Sequence, residues 1–282
     1  MVLSIRLLAD VDLESAAEIL TSAFQRSGNW VNELRFYRRL QPDGYIGAYQ
    51  DGSLLGMVGS TIYSTFAYVG LMGVHQRFQR RGIGLALMDH LLKWLDEKGM
   101  PQIQLDASEV GQSMYEKLGF VARERVFVLQ RQSGVPISDR PRQVEPINNS
   151  NLDELVCMDA DIFGADRSRV FSSLLETYPG RAFKSTDAQG RITGYLFAQE
   201  KRIGPWVTLE PGEEGALLQA VLSLDFAGAI SIVVPETSTG ALELLQRFGF
   251  KIVRTNRHMT RGSTASIGHR DKVYAQASLS IG

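Results

Sequence analysis

The chain has 282 residues, with 30 Lys+Arg against 31 Asp+Glu and a formal net charge of −1; 44% of residues are hydrophobic and 22% charged. That composition suits two medium globular domains that each bury a core, and it supplies no basic field for nucleic acid or an acidic membrane. The single cysteine, Cys157, excludes a disulfide within the chain and fits a reducing cytosol.

The first residues, MVLSIRLLADVD, lack the basic-then-apolar form of a secretory signal. No stretch approaches the roughly 20 apolar residues of a membrane span, so a soluble cytoplasmic protein without a membrane or nucleic-acid partner is expected. Ser4 to Leu8 reads as a strand and Asp12 to Ser22 as a helix with Asp12 at its N-cap. Residues 31 to 40 read as a helix. Tyr45–Gln50 and Leu54–Tyr63 read as a hairpin around Asp51-Gly52. Phe66 to Val74 is a further strand, and Ile83 to Lys98 a helix stopped by Gly99. Gln102 to Asp106 reads as a strand, Gly111 to Leu118 as a short helix, and Arg125 to Arg131 as a last strand. The class is α/β (α+β), with antiparallel hairpins around a βαβ centre.

Features of this half recur in order. LESAAEILTSAF is echoed by LDELVCMDADIF, DGSLLGMV by AQGRITGYL, and MYEKLGFVARERVFVLQR by LLQRFGFKIVRTNRHMTR, pairing Phe24 with Phe163, Gly56 with Gly194 and Gly119 with Gly249. This ordered repetition points to a duplicated domain. The seam GVPISDRPRQVEPI contains Pro136, Pro141 and Pro146, which break regular elements. Residues 1–131 are therefore expected as the first domain, 132–143 as a linker and 144–282 as the second domain. Cys157 has apolar neighbours at helical spacing, which places it in a core.

The segment LMGVHQRFQRRGIGLALMDHLLKWL carries the chemistry. A strand ends near Val74, a polar loop follows, and a helix begins near Gly82. Glycines at 82 and 84 let backbone approach a ligand. The free N–H groups of the first helical turn favour an anion, and Arg80 and Arg81 add positive charge. A diphosphate satisfies all of these features. The segment lacks the Gly-Lys-Ser/Thr ending of a Walker loop and the third glycine of a dinucleotide fingerprint.

Val74-His75-Gln76-Arg77-Phe78-Gln79-Arg80-Arg81-Gly82-Ile83-Gly84 resembles the acetyl-CoA signature of the GNAT superfamily of N-acetyltransferases. Ser113-Met114-Tyr115-Glu116-Lys117-Leu118-Gly119-Phe120 resembles the superfamily's second signature, in the expected order. The resemblance covers residues 1 to about 131 well and the rest more weakly. It implies tandem GNAT-like domains, each a mixed, mostly antiparallel sheet flanked by helices. It also implies acetyl-CoA as co-substrate and an amine on a small molecule, peptide or protein as acceptor. Metal ligands are not expected.

By the same resemblance, Gln79, Arg80, Arg81, Gly82, Ile83 and Gly84 hold the pyrophosphate. Backbone groups of Met72 and Val74, on a strand that splays from its neighbour with an irregularity at Gly73, take the pantetheine and acyl carbonyl. Ser108 stands where the closest variant carries an Asn that contacts the pantetheine arm. Tyr115 matches the Tyr proposed to protonate the departing thiolate. Asp106, His75 and Glu33 are open as general bases beside a water chain, and no base is assigned.

In the second copy Leu245 stands opposite Tyr115, and Glu213 and Glu214 replace the two arginines between Gly212 and Gly215. Paired carboxylates repel a diphosphate, so this half is expected not to bind CoA in the usual way. Phe163-Gly164-Ala165-Asp166-Arg167 and Arg202-Ile203-Gly204-Pro205-Trp206 resemble the C-terminal domain of bacterial two-domain acetyltransferases. This opens two roles for Asp166, Arg167 and Trp206, packing or the lining of a substrate cleft beside Glu33. Two other functions stay open: a tandem module that senses acyl-CoA or a small amine without turnover, and transfer of a longer acyl or an aminoacyl group. The acceptor and the oligomeric state are not legible.

Overall fold

The computed structural model describes residues 3–25, 28–132 and 144–282. The expected linker therefore lies outside the described residues except for Gln132. The first copy runs β1 (Ser4–Leu7), α1 (Leu13–Phe24), α2 (Trp30–Leu40), β2 (Tyr45–Gln50), β3 (Ser53–Ile62), β4 (Ala67–Val74), α3 (Ile83–Glu97), β5 (Gln102–Ala107), α4 (Glu109–Lys117) and β6 (Val121–Arg131). The second runs β7 (Glu145–Pro146), α5 (Leu152–Phe163), α6 (Ser168–Thr177), β8 (Ala182–Thr186), β9 (Ile192–Ala198), β10 (Arg202–Thr208), α7 (Glu214–Leu222), β11 (Ile230–Pro235), α8 (Thr239–Arg247) and β12 (Lys251–Gly262). A short β13 (Val273–Ala275) follows in a C-terminal tail.

Local sequence explains these elements. In α1, Leu13, Ala16, Ile19 and Leu20 form one buried face at helical spacing. In α3 the buried stripe is Ile83, Leu87, Met88, Leu91, Leu92 and Leu95. Asp51 and Gly52 both take positive φ, 50° and 79°, which matches the twist of a two-residue hairpin. Asp12 does not cap α1 with its side chain. Its carboxylate instead accepts from the Ala9 N–H and from Arg6. Cys157 is exposed, contrary to expectation. The buried face of α5 is Leu155, Asp159 and Ile162, and Cys157 falls on the other side.

Among the described residues the strands form one mixed, mostly antiparallel sheet of 13 strands in the order β1-β2-β3-β4-β5-β12-β6-β11-β10-β9-β8-β7, with β13 added on β10. The parallel pairs are β4 with β5 and β10 with β11. The order has an internal symmetry, because each copy gives its last strand to the other. β12 pairs with β5, and β6 pairs with β11, each over six residue pairs. Side chains follow the strands: Met259 of β12 packs with first-copy residues, and Phe127 and Leu129 of β6 pack with second-copy residues. A third cluster spans both copies, joining Leu34, Tyr37 and Tyr45 to Phe171 and Tyr195. Burying each of these side chains contributes about 1.5–3 kcal/mol.

The tail crosses back over the sheet. Ser280 lies so close to Gly70 that a Cβ there would sit 2.4 Å from the Ser280 Cα, and one at Gly204 would sit 2.1 Å from the Gln276 carbonyl. Tyr63 Oη donates to the Ile281 carbonyl at 2.7 Å and Tyr37 Oη to Ser278 Oγ at 3.0 Å. These bonds hold Ser278 to Ser280 beside β4.

Candidate active site

β4 and β5 pair only over Ala67–Val69 and Ile103–Leu105, and beyond that point they part. The cause sits in β4. Its register with β3 shifts between Met57 and Gly59, paired with Gly73 and Gly70, so Leu71 and Met72 stand opposite one residue. Leu71 takes φ 51°, a strained value for a branched side chain, and the bulge aims β4 away from its neighbour. The expected irregularity thus lies at Leu71, not Gly73. The wedge opens into a cleft lined on this side by Leu71, Met72, Asp106, Ser108 and Tyr115.

Below the wedge lies the loop before α3. Gln79 Nε2 donates to the Val74 carbonyl at 3.0 Å and ties the loop to the end of β4. Arg80 and Gly82 take φ 59° and 79°, and these left-handed residues turn the chain into α3. The first helical hydrogen bond runs from Ala86 N–H to the Gly82 carbonyl at 3.0 Å, which leaves the preceding N–H groups at the positive end of the helix dipole. A Cβ at Gly84 would lie 2.9 Å from Met72 Cε, so the helix start and the end of β4 meet closely there. Arg80 and Arg81 are exposed beside the turn. The motif residues therefore form a cationic cradle next to the wedge.

Ser108 caps α4, its Oγ accepting from the Gly111 N–H at 3.3 Å. Tyr115 is 7% exposed and packs edge-on against Phe120. Burial pushes its phenol well above the ordinary range, so it holds its proton at neutral pH.

The opposite wall comes from α2, the second copy and the tail. Glu33, Tyr37, Arg202, Asn256 and Ser278 line it. Arg202 Nη2 lies 3.5 Å from Glu33 Oε2 and Nη1 donates to Gln199 Oε1 at 3.2 Å. Asn256 Nδ2 donates to the Asp106 carbonyl at 3.2 Å, while its Oδ1 is buried without a donor among the described residues. Such an orphan acceptor costs roughly 1–3 kcal/mol.

Asp106 also lies on the cleft wall, with a carboxylate 0% exposed. Tyr68 Oη donates to it at 2.7 Å, Gln276 Nε2 at 3.1 Å, and His258 Nδ1 lies 3.0 Å away. Burial acts to raise its pKa, but the His258 hydrogen bond and the charges of His258 and Arg270 hold it below the usual carboxylate range. Burial, reinforced by Arg270, lowers His258 despite Asp106. An ion this well solvated by protein is a weak base.

Three expected acceptor residues are not at the cleft. Arg167 is buried, with Nε and Nη2 on the Asp159 carboxylate at 2.6 and 2.7 Å and Nη2 on Tyr195 Oη at 2.6 Å. Trp206 is 0% exposed, its indole N–H donating to Thr208 Oγ1. Asp166 Oδ1 accepts from the Ser168 N–H at 2.6 Å at the start of α6. His75 is off the cleft as well, accepting from the Arg77 N–H and lying against Phe78. Sequence reasoning missed Tyr37, Arg202 and Asn256. Arg202 begins the segment that ends at Trp206, yet nothing local shows which of the two faces the cleft.

In the second copy the corresponding features are closed. β10 and β11 pair over Arg202–Ile203 and Ser231–Ile232. β13 then pairs with β10 at Trp206 and Val207, and Gln276 N–H donates to the Val233 carbonyl at 2.9 Å, so the tail fills this wedge. At the start of α7, the Glu213 carboxylate accepts from Ser185 Oγ and Thr193 Oγ1, both at 2.8 Å, and Glu214 from the Gly212 N–H at 2.7 Å. Glu214 thus engages a backbone N–H ahead of α7, and Glu213 is held by hydroxyls of β8 and β9.

Residues 13–120 match the profile described as "Acetyltransferase (GNAT) family" and residues 155–275 the profile described as "Acetyltransferase (GNAT) domain". Over 218 residues the chain is 22% identical to the uncharacterized N-acetyltransferase YitH of Bacillus subtilis, covering 75% of this chain and 76% of that protein. It superimposes on a putative acetyltransferase from Pyrococcus horikoshii with TM-score 0.87 and 27% identity, over 99% of this chain and 96% of that one. A GCN5-related N-acetyltransferase from Sphaerobacter thermophilus shares the fold, with TM-score 0.72 and 16% identity over 95% and 98% of the two chains. With both copies matched and the cradle, wedge and strand order in place, the chain belongs to the GNAT acetyltransferase family, as a tandem pair of GNAT domains.

Proposed function

We propose that the protein transfers an acetyl group from acetyl-CoA to a primary amine by direct attack in a ternary complex. The observation that carries this reading is that the open wedge and the buried Tyr115 line one cleft, and that the turn from Gln79 to Gly84 adjoins it where Gly84 meets Met72. Gln79 to Gly84 receive the pyrophosphate through backbone N–H groups and the two arginines. Backbone of β4 from Met72 to Val74, with Ser108 opposite, orients the thioester. The acceptor nitrogen bonds to the acyl carbon as the C–S bond breaks, and Tyr115 Oη gives its proton to the departing sulfur. Water in the cleft carries away the ammonium proton, since the Asp106 carboxylate is already fully engaged. Residues 1–131 supply the cofactor site in this reading, and residues 144–282 complete the acceptor wall.

The test follows free thiol release from acetyl-CoA over a panel of amines, beside calorimetric CoA binding. Arg81→Glu is expected to abolish CoA binding by placing a carboxylate at the cradle. Tyr115→Phe is expected to lower kcat by about 100-fold with CoA affinity unchanged. CoA binding without thiol release from any amine would instead support an acyl-CoA sensor.

A further inference from the structure

The acceptor wall carries charges that acyl transfer itself does not require. Among the described residues, four charged ones line the cleft: the carboxylates Glu33 and Asp106 and the guanidiniums Arg202 and Arg254. Asp106 is shared among His258, Tyr68 and Gln276 and has no exposed side-chain surface. It therefore offers little to a second cation. Glu33 and Arg202 then stand side by side, one carboxylate and one guanidinium facing the same space. A molecule bearing one amine and one carboxylate finds a partner for each group.

Two side chains supply those partners. Arg202 is held to Glu33 only at 3.5 Å, longer than the roughly 2.7–2.9 Å of a charge-assisted hydrogen bond. Burial acts to discharge it, but Glu33 and Tyr37 keep it firmly protonated. Its planar fork suits a carboxylate. Asn256 is fixed by its Nδ2 bond to the Asp106 carbonyl, leaving the buried Oδ1 with no donor among the described residues. That oxygen calls for an N–H.

Resting on the acyl-transfer reading, we propose that the acceptor is a small amino acid, with its carboxylate on Arg202 and an amine N–H on Asn256 Oδ1. The test titrates L-amino acids and their primary amides into the full-length, CoA-saturated protein by calorimetry, with thiol release from acetyl-CoA followed in parallel. Acids are expected to bind at least about tenfold more tightly than amides. Arg202→Gln closes that gap by weakening acids alone, and Arg202→Lys restores part of it. Asn256→Leu weakens acids and amides alike. Glu33→Gln removes the competing carboxylate and tightens acids, which keeps the test decisive even if Arg202→Gln fails to fold. Amides or diamines binding as tightly as acids, equal weakening of both by Arg202→Gln, weaker acid binding in Glu33→Gln, or no binding by either set each overturns the proposal. Binding of acids without thiol release would sink the acyl-transfer reading alone. Thiol release from amines without a preference for acids would sink only the assignment of the acceptor.

Discussion

A guanidinium whose side chain is 1% exposed beside an equally buried carboxylate, as in Arg167 and Asp159, is committed to the core. Phe163 and Phe171 rings flank it, so no acceptor reaches it. Arg167→Ala would strand the Asp159 charge, and removal of one partner of a buried pair typically costs about 3–5 kcal/mol. The expected outcome is a large fall in thermal unfolding temperature with unchanged CoA affinity in the protein that remains folded, read by calorimetry and CoA titration. A raised acceptor KM at unchanged stability would contradict this. The cradle behaves differently because its parts are adjacent in the chain: Gln79 to Gly84 need only a strand end and a helix start, which hydrophobic spacing reveals. Tyr115 was legible through its match to the Tyr of the superfamily's second signature, which lies within one short stretch of chain. Arg202 and Asn256 were not, because their neighbours in space lie on the other copy.

At the scale of elements, the expected strands and helices of the first copy appear within a few residues of their positions, because each has a strong period or turn signal. Their pairing is another matter. β6 and β12 each lie beside the other copy's β5-type strand, where His258 meets Asp106 in register. Both groups titrate below their ordinary values, and the sign follows from which state binds more protons. An unfolded His258 takes up a proton as pH falls through about 6.5, while the folded one resists, so stability declines below that pH. Asp106 adds a further loss when pH falls through the unfolded carboxylate range, near pH 4. The unfolding temperature is thus expected to fall as pH drops from about 7 to 5, with a shallower slope in His258→Asn. Equal slopes in the two proteins would remove this pair from the acid response.

For the whole molecule, exchanged strands mean that neither copy closes its own sheet. Residues 1–131 lack the strand that covers β5, and residues 144–282 lack the one that covers β11. Each would present an unpaired edge and an open core. The intact chain is expected to unfold in one cooperative transition by two probes, while either piece alone aggregates and the two refold when mixed. Two separate transitions in the intact chain would argue against this coupling. The tail belongs to the same scale, since Val273–Ala275 fills the second wedge and Ser278–Ser280 lines the first.

The sequence by itself determined the element order of the first copy, the duplication, the family resemblance, the glycine-containing turn before α3 and the asymmetry between Arg80-Arg81 and Glu213-Glu214, because all of these depend on residues close together in the chain. Tertiary structure alone decided the strand exchange, the bulge at Leu71, the filling of the second wedge by the tail and the residues that form the far wall of the cleft. These arise from pairings across the two copies, where hydrogen-bond register and close packing select among partners that are equally compatible with the local pattern.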